Sequence, residues 1–300
     1  MNAKGLLIVN GYMRSEKFEE ITKLYKEASK KYHIDMKVCY TDEVGYGFDT
    51  IGRSMSNIDL EGIDFVLFLD KDIILAKQLE IMGLRVFNSS EAIAVCDHKG
   101  KTTQVLANHQ VDMPKTIVAP LVFEGMYTGC ENDRYIRQIE KELDYPMIVK
   151  ECYGSFGMQV YKVDNQQELI KIRERLADRP HLYQSFIKNS CGRDVRIHVV
   201  GDEVVASMLR TNDTDFRANV TNGGKMSLYD PPEAFKQLAL KVCKLLKTDF
   251  AGVDLLFNEK EEPILCEVNS NAHIKNILDL TGINVAEKIM AYILKEVKKE

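Results

Sequence analysis

The sequence predicts an open α/β domain at its N-terminus followed by an α+β body. Three observations predict it. Apolar runs alternate with amphipathic stretches through residue 88, short strands interleave with helices across 114–190, and strand hairpins occupy 195–210 and 250–268. Three hundred residues leave room for more than one subdomain around shared cores.

The first strand covers residues 4–10, where Leu6-Leu-Ile-Val9 is an unbroken apolar run. Residues 15–32 have apolar spacings of three and four behind Ser15, the pattern of a capped helix. Ile34 to Tyr40 alternates as a strand does, and Phe65-Val-Leu-Phe-Leu69 reads as a parallel strand covered on both faces. A helix from Ile73 to Met82 and a strand at Arg85-Val-Phe87 complete the βαβ pattern. Asn88-Ser-Ser-Glu91 is a capping sequence for a helix from Ala92 to His109, interrupted near Gly100. Strands are then expected at Thr116-Ile-Val, Met147-Ile-Val-Lys, Met158-Gln-Val-Tyr and Leu182-Tyr-Gln-Ser-Phe-Ile187. The 195–210 hairpin turns at Gly201-Asp202, Glu233 to Leu246 is an amphipathic helix, and Asn284 to Val297 closes the chain.

Composition narrows the function. No apolar run approaches the roughly 18 residues that a membrane span needs, and no signal-peptide pattern opens the chain, so a cytoplasmic protein is expected. Seven scattered cysteines (Cys39, Cys96, Cys130, Cys152, Cys191, Cys243 and Cys266) without a Cys-x-x-Cys pair argue against disulfides and a zinc knot. Cys152 beside a glycine loop reads as a reduced bystander. A net charge of −5 gives no footprint for nucleic acid.

The most informative residues are Asp254, Glu267 and Asn269. Phe250 to Phe257 and Pro263 to Val268 read as strands joined by the polar turn Asn258-Glu-Lys-Glu-Glu262. Folding back about Lys260 and Glu261 sets Asp254 across from Glu267, with Cβ atoms about 5 Å apart on one face. Asn269 follows two residues later and stays on that face. Two carboxylates and a carboxamide suit Mg²⁺ or Mn²⁺, which take oxygen ligands and share them with phosphates. The competing reading is a hairpin whose acids face water; the apolar flanks favour the metal. Replacing Asp254 or Glu267 by alanine is expected to abolish phosphate release and leave the fold largely intact.

Other residues are weaker taken singly. Lys150 ends an apolar strand before Glu-Cys-Tyr-Gly154-Ser155-Phe156-Gly157, a strand–loop–strand context whose glycines let backbone N–H groups approach phosphate. An ordinary hairpin fits equally. Lys99 sits near the start of a predicted helix, where an anion gains from the dipole, or it is a solvated lysine. Gln184, Ser185, Phe186 and Ile187 read as an adenine-edge connector or as buried strand. Arg193, Asp194, Arg196, Arg210 and Arg217 lie in segments able to capture carboxylate or phosphate.

Taken in order, these segments resemble the ATP-grasp superfamily, specifically the RimK-like α-L-glutamate ligases. The likeness runs from Asn88 to Ile293. Its motifs are Asn88-Ser-Ser-Glu-Ala-Ile93, Asp97-His-Lys99, Val149 to Gly157, Gly192-Arg-Asp-Val-Arg196, Val199 to Met208, Phe216-Arg-Ala-Asn219, Gly252-Val-Asp254 and Glu267-Val-Asn269. The resemblance implies an N-terminal pre-ATP-grasp domain (1–88), a central ATP-grasp subdomain with a phosphate lid (89–186) and a C-terminal subdomain with the metal site (187–300). Lys99 and Lys150 would contact ATP phosphates under a lid at Gly154, Ser155 and Gly157. Gln184 to Ile187 would hold adenine and Asp194 would lie near the ribose. Asp254, Glu267 and Asn269 would bind two Mg²⁺ (or Mn²⁺) ions. Arg210, Arg217 and Asn219 would be catalytic, facing the reacting carboxylate or the transferred phosphoryl group.

The implied enzyme is an ATP-dependent carboxylate–amine ligase acting through an acylphosphate. Its partners would be a carboxylate substrate and an amine-bearing amino acid, peptide or carrier protein, with no nucleic acid or membrane, in a homo-oligomer (dimer or tetramer). The arginines favour an acidic substrate. A nucleotide-binding module that keeps the fold without turnover is the alternative, which the intact metal trio and both lysines disfavour. Two departures from the family pattern stand out: His98 separates Asp97 from Lys99, and Ser270-Asn-Ala-His-Ile-Lys-Asn276 replaces a Ser-Pro-Gly continuation. The Lys-Asn ending is more similar to ligases that act on a small carrier protein, with His273 and Lys275 as selectivity candidates or ordinary loop residues.

Overall fold

The computed structural model describes residues 2–129, 133–155 and 157–299; Cys130 and Phe156, named above, lie outside the described residues. The N-terminal part runs β1 (Lys4–Val9), α1 (Glu16–Lys31), β2 (Asp35–Tyr40), β3 (Tyr46–Phe48), β4 (Ser54–Ser56), β5 (Phe65–Leu69), α2 (Ile73–Ile81) and β6 (Val86–Phe87). Next come α3 (Ser90–Asp97), α4 (Lys99–Leu106), β7 (Thr116–Val118), α5 (Arg134–Glu142), β8 (Met147–Glu151), β9 (Val160–Val163), α6 (Gln166–Arg175) and β10 (His181–Ser185). The last third holds β11 (Arg193–Val200), β12 (Glu203–Thr211), β13 (Lys225–Leu228), α7 (Glu233–Leu246), β14 (Phe250–Phe257), β15 (Pro263–Asn269), α8 (Lys275–Thr281) and α9 (Val285–Val297).

Three main sheets organise these elements. The first is parallel, in the order β2-β1-β5-β6. β5 is apolar at every position and β1 from Leu6 to Val9, because both faces are covered there. Leu7, Val9, Phe65 and Leu67 enter one core, while Leu6, Ile8, Val66 and Phe68 enter another beside α2. The first of these cores also contains Ile277 of α8 and Ile289 and Ile293 of α9, so the N-terminal domain and the end of the chain share one interior. Asn88 joins them further. Its buried Nδ2 donates to the carbonyls of Phe250 (2.9 Å) and Ser270 (2.8 Å), and its Oδ1 accepts from the Asp249 amide (2.6 Å). The sequence offered only a cap here; Ser89 supplies that, accepting from the Ala92 amide.

The second sheet, β7-β10-β8-β9, is antiparallel and packs on α5 and α6. Met147 and Val149 of β8 face that core, which turns Ile148 and Lys150 toward the opposite cleft. The third sheet, β13-β12-β11-β14-β15, is antiparallel, with α7 on one face. Val195, Ile197, Val253 and Leu255 point into the α7 core, leaving Asp194, Arg196 and Asp254 on the other face.

Several boundaries differ from expectation. The helix break falls at His98, whose Nδ1 accepts from the Lys101 amide at 3.1 Å and starts α4 afresh; Gly100 lies within that helix. The strand expected from Met158 begins at Val160, and β10 ends at Ser185, leaving Phe186 and Ile187 beyond it. Segment 89–113 packs with the C-terminal layer. Cys96, Leu106 and Met113 join the α7 core, and the Leu265 amide donates to the Asp112 carbonyl at 2.8 Å. The core of the second sheet therefore draws on residues after 113. Among the described residues no helix is long and apolar enough to cross a membrane.

The Asn88 bridge is testable. Asn88→Ala strands buried backbone groups of β14 and is expected to cost about 3 kcal/mol in urea unfolding, at about 1–3 kcal/mol for each group left unpaired.

Candidate active site

The site is built on the hairpin of β14 and β15. Asp254 pairs directly with Glu267, and Gly252 with Asn269. The pairing arises in two steps. Phe257 faces Pro263 around a five-residue turn in which the Asn258 amide donates to the Glu262 carbonyl, and this register sets Leu255 against Leu265. A β-bulge then inserts Cys266, so that Leu265 stays in the α7 core while Glu267 reaches the face of Asp254. Strict alternation would have put Leu265 and Glu267 on one face.

Asp254 is almost wholly buried at 3% exposure. Arg196, its cross-strand neighbour on β11, grips it with Nε and with Nη2 at 2.7 Å. Arg210 of β12 lies 3.0 Å from it and also holds Asp194 through Nε (2.6 Å) and Nη2 (2.7 Å). Burial alone would raise the Asp254 carboxyl, but the two guanidinium charges outweigh it and hold it at about 2. Arg193 pairs with Glu261 (2.5 Å) and Arg217 with Asp215 (2.7 Å). Each of the four arginines thus has a carboxylate partner, and they do not by themselves make the site cationic. The expectation that Asp254→Ala spares the fold is corrected here. Removing Asp254 leaves Arg196 buried without an acid partner, a change worth about 3–5 kcal/mol of stability.

Two clefts meet at this network. The smaller, about 100 Å³, is lined by Lys99, Lys150, Gly157, Gln184, Ser185, Phe186, Ile187, Asp194 and Arg217. Lys99 Nζ lies 3.2 Å from Glu267 and 3.4 Å from the Gly154 carbonyl. Lys150 Nζ contacts Cys266 Sγ at 3.8 Å. Gln184 pairs with Ile148 and Thr116 inside the sheet, whereas Phe186 and Ile187 line the cleft beyond the strand end. Gly157 has φ +72°, and a Cβ there would come within 2.8 Å of Asn219 Oδ1, so both conformation and space call for glycine.

The larger cleft, about 290 Å³, lies between the N-terminal domain and the third sheet. It takes in Asn10, Arg14, Lys17, Asp70 and Lys71 along with Ser155, Arg196, Asn269 and His273. Arg210, Asn219, Asp254 and Glu267 line both clefts. The sequence reading missed the N-terminal contributors. The available signal was topological: ligands of parallel sheets bind beyond the carboxyl ends of the strands, where Asn10 follows β1 and Asp70 follows β5. The sequence reading counted Arg196 among the arginines near the site but gave it no role of its own, although its i, i+2 spacing from Asp194 places both on one face. Lys275 bonds Asp279 at the start of α8 and lines neither cleft. Cys152 is buried, and burial raises its thiol, which opposes activation.

A family model described as a RimK-like ATP-grasp domain matches residues 96–293. The chain belongs to the RimK-like ATP-grasp family. It is similar to the uncharacterized protein MG012 of Mycoplasma genitalium, with 31% identity over 91% of this chain and 93% of that protein. It shares 36% identity with beta-citrylglutamate synthase B of Mus musculus over 74% of this chain, which spans 56% of the synthase. The fold matches a crystal structure of D-alanine–D-alanine ligase from Bacillus anthracis with a TM-score of 0.71 at 18% identity, covering 99% of this chain and 98% of that one. As a member of the RimK-like family, the protein is an ATP-grasp ligase that forms carbon–nitrogen bonds between a carboxylate and an amine. The family uses ATP with divalent metal ions.

The oxygen donors of Asp254, Glu267 and Asn269 are of the kind such an ion takes, while both Asp254 oxygens are engaged by arginines and Lys99 lies 3.2 Å from Glu267. Asp254, Glu267 and Asn269 all line the larger cleft, and the Asn269 amide nitrogen turns toward the Gly252 carbonyl at 3.5 Å, leaving its oxygen for other partners. Among the described residues no three His, Cys, Asp or Glu side chains form a metal cluster, so phosphate oxygens and water must complete any coordination shell.

His198, on the same strand face as Arg196, supplies a pH test. Burial, followed by the Arg196 charge, pushes its imidazole down to about 3, with Asp254 opposing and Arg210 and His273 reinforcing. Because the folded value lies below the unfolded one, the associated stability is intact above about pH 6.5 and declines as pH falls toward 3. Relative to His198→Gln, the wild type should lose about 2 kcal/mol between about pH 7.5 and about pH 5 in urea titrations.

Proposed function

We propose that the protein activates the carboxylate of a small acid or peptide with ATP and joins it to the amine of an amino acid, with glutamate as the leading candidate. The carrying observation is the meeting of the two clefts at Arg210, Asn219, Asp254 and Glu267. ATP occupies the smaller cleft, its adenine against Phe186 and Ile187 and its phosphates beside Lys99 and Lys150. The acid occupies the larger one, so that its carboxylate meets the terminal phosphoryl group at the shared wall. The name of the synthase relative supports glutamate.

Phosphoryl transfer asks the protein for alignment and charge neutralisation more than for a nucleophile. A carboxylate oxygen of the acid attacks the terminal phosphorus, the bond to ADP breaks, and an acylphosphate forms. The amine nitrogen then attacks the acyl carbon, the carbon–oxygen bond to phosphate breaks, and nitrogen releases a proton. Amide, ADP and phosphate are the products. Two Mg²⁺ or Mn²⁺ ions, held by Asp254, Glu267 and Asn269, neutralise charge on the triphosphate tail when bound. Lys99 orients the phosphates from the helix N-terminus. Arg210 and Asn219 face the reacting carboxylate, and Arg217 steadies the glycine hairpin that keeps water from the anhydride.

Glu267→Gln isolates this role, because Glu267 is more exposed than Asp254 and carries less of the buried network. The variant is expected to lose on the order of 100-fold in ADP formation with little change in urea midpoint. A screen of ATP with single acids, amino acids and carrier peptides identifies the substrates. Glutamate is expected to support amide formation, and turnover with neutral amino acids alone would overturn that assignment.

A further inference from the structure

The glycine hairpin is held by cations from three directions. Lys99 donates to the Gly154 carbonyl at 3.4 Å, and Arg217 Nη1 donates to the Gly157 carbonyl at 2.6 Å. The third cation comes from the N-terminal domain. Lys71 stands two residues beyond β5, its amide donating to Asp70 Oδ1 at 2.5 Å. Its ammonium pairs with Asp97 at the end of α3 and donates to Ser155 Oγ at 3.1 Å. Lys71 and Ser155 both line the larger cleft.

We propose that Lys71 is a positioning residue that fastens the glycine hairpin to the N-terminal domain and so seals the acid cleft against water during the reaction. The inference rests on the ligase reading above and extends it to a domain the sequence left without a catalytic part. Asp97 gains a role by the same geometry. Its side chain is mostly buried, whereas Lys71 is partly exposed, so the carboxylate is the fixed member and the lysine the one it aims. A lysine has three donors, and the ammonium bridges Asp97 and Ser155 beside the larger cleft, which Lys71 and Ser155 both line. Arg217 holds the other end of the hairpin to the C-terminal subdomain. Loss of Lys71 therefore frees the Ser155 end alone. A hairpin loosened at that end still binds nucleotide through Lys99 and Lys150 but admits water to the acylphosphate.

Amide hydrogen exchange tests this without knowledge of the acid. In Lys71→Met, exchange of the peptide covering 153–159 should rise about tenfold, both free and with Mg²⁺ and AMPPNP, while peptides from β1 and β5 keep wild-type protection. Lys71→Arg should restore slow exchange. Once an acid supports turnover, Lys71→Met should also release more ADP per amide than the wild type. Unchanged exchange in the hairpin overturns the proposal, and so does a rise spread over the whole N-terminal domain, which would mark a structural role. Failure of the ligase reading shows separately, as absence of amide in the substrate screen with the exchange pattern unaffected.

Discussion

The architecture turns on one buried carboxylate. Asp254 sits among apolar strands, where an unpaired charge costs several kcal/mol. Arg196 and Arg210 compensate it, and Arg210 in turn needs Asp194. Four charged side chains on three adjacent strands, β11, β12 and β14, thus form a closed set of two positive and two negative groups. The set fixes the register of those strands from within, since shifting any one by a residue would send its charge into the α7 core. It also guarantees that Asp254 is ionised at any working pH, because its carboxyl is held at about 2. Arg196 and Arg210, side chains that belong to the fold, keep this carboxylate in its ionised form.

Around this set the second and third sheets are arranged so that their polar faces converge. The second sheet buries Met147 and Val149, which frees Lys150 for the cleft; the third buries Val253 and Leu255, which frees Asp254. The parallel sheet is apolar on both faces and contributes through the loops beyond its strand ends. The sharing of its core with α8 and α9 makes those loops a fixed wall. Asn88 reinforces the attachment at the point where the chain leaves β6.

Much of this was legible in the sequence, and what was not has physical reasons. β5 and the Leu6–Val9 part of β1 announced themselves because a strand buried on both sides has only apolar residues, whereas β2 at the sheet edge showed as alternation. Asp254 and Glu267 were assigned to one face correctly, but the symmetric turn that gave the pairing is not what the chain uses. The turn centres on Lys260, and the bulge at Cys266 makes up the difference. A bulge leaves no clear mark in residue types, although Leu265 and Val268, three apart and both in the core, are consistent with nothing else. The pairing of the arginines was invisible for another reason. Asp194 and Asp254 are far apart in sequence, and only the order of strands in the sheet brings them to Arg210. The helix α8 was missed because its seven residues are too few to show a period.

The charge balance has a consequence for selectivity. Arginines counted along the sequence appear to be a surplus awaiting an anion, yet Arg193, Arg196, Arg210 and Arg217 are all matched by acids. Arg196 and Arg210, the two of these that line the larger cleft, have their guanidinium forks already occupied. Asn10, Asn219, Asn269, Asn271 and Asn276 supply carboxamides on the same walls, and His273 brings a ring with both nitrogens lacking a hydrogen-bond partner. Its imidazole is held down to about 4, by burial first and then by Lys17 and Arg196, so it is neutral at neutral pH. Neutral donors and acceptors of this kind discriminate by geometry, because a ligand that fails to match them leaves buried polar groups unsatisfied. On the reading proposed above, such groups would select among acids of equal charge, alongside the charged side chains Arg14, Lys17, Asp70 and Lys71 that line the same cleft.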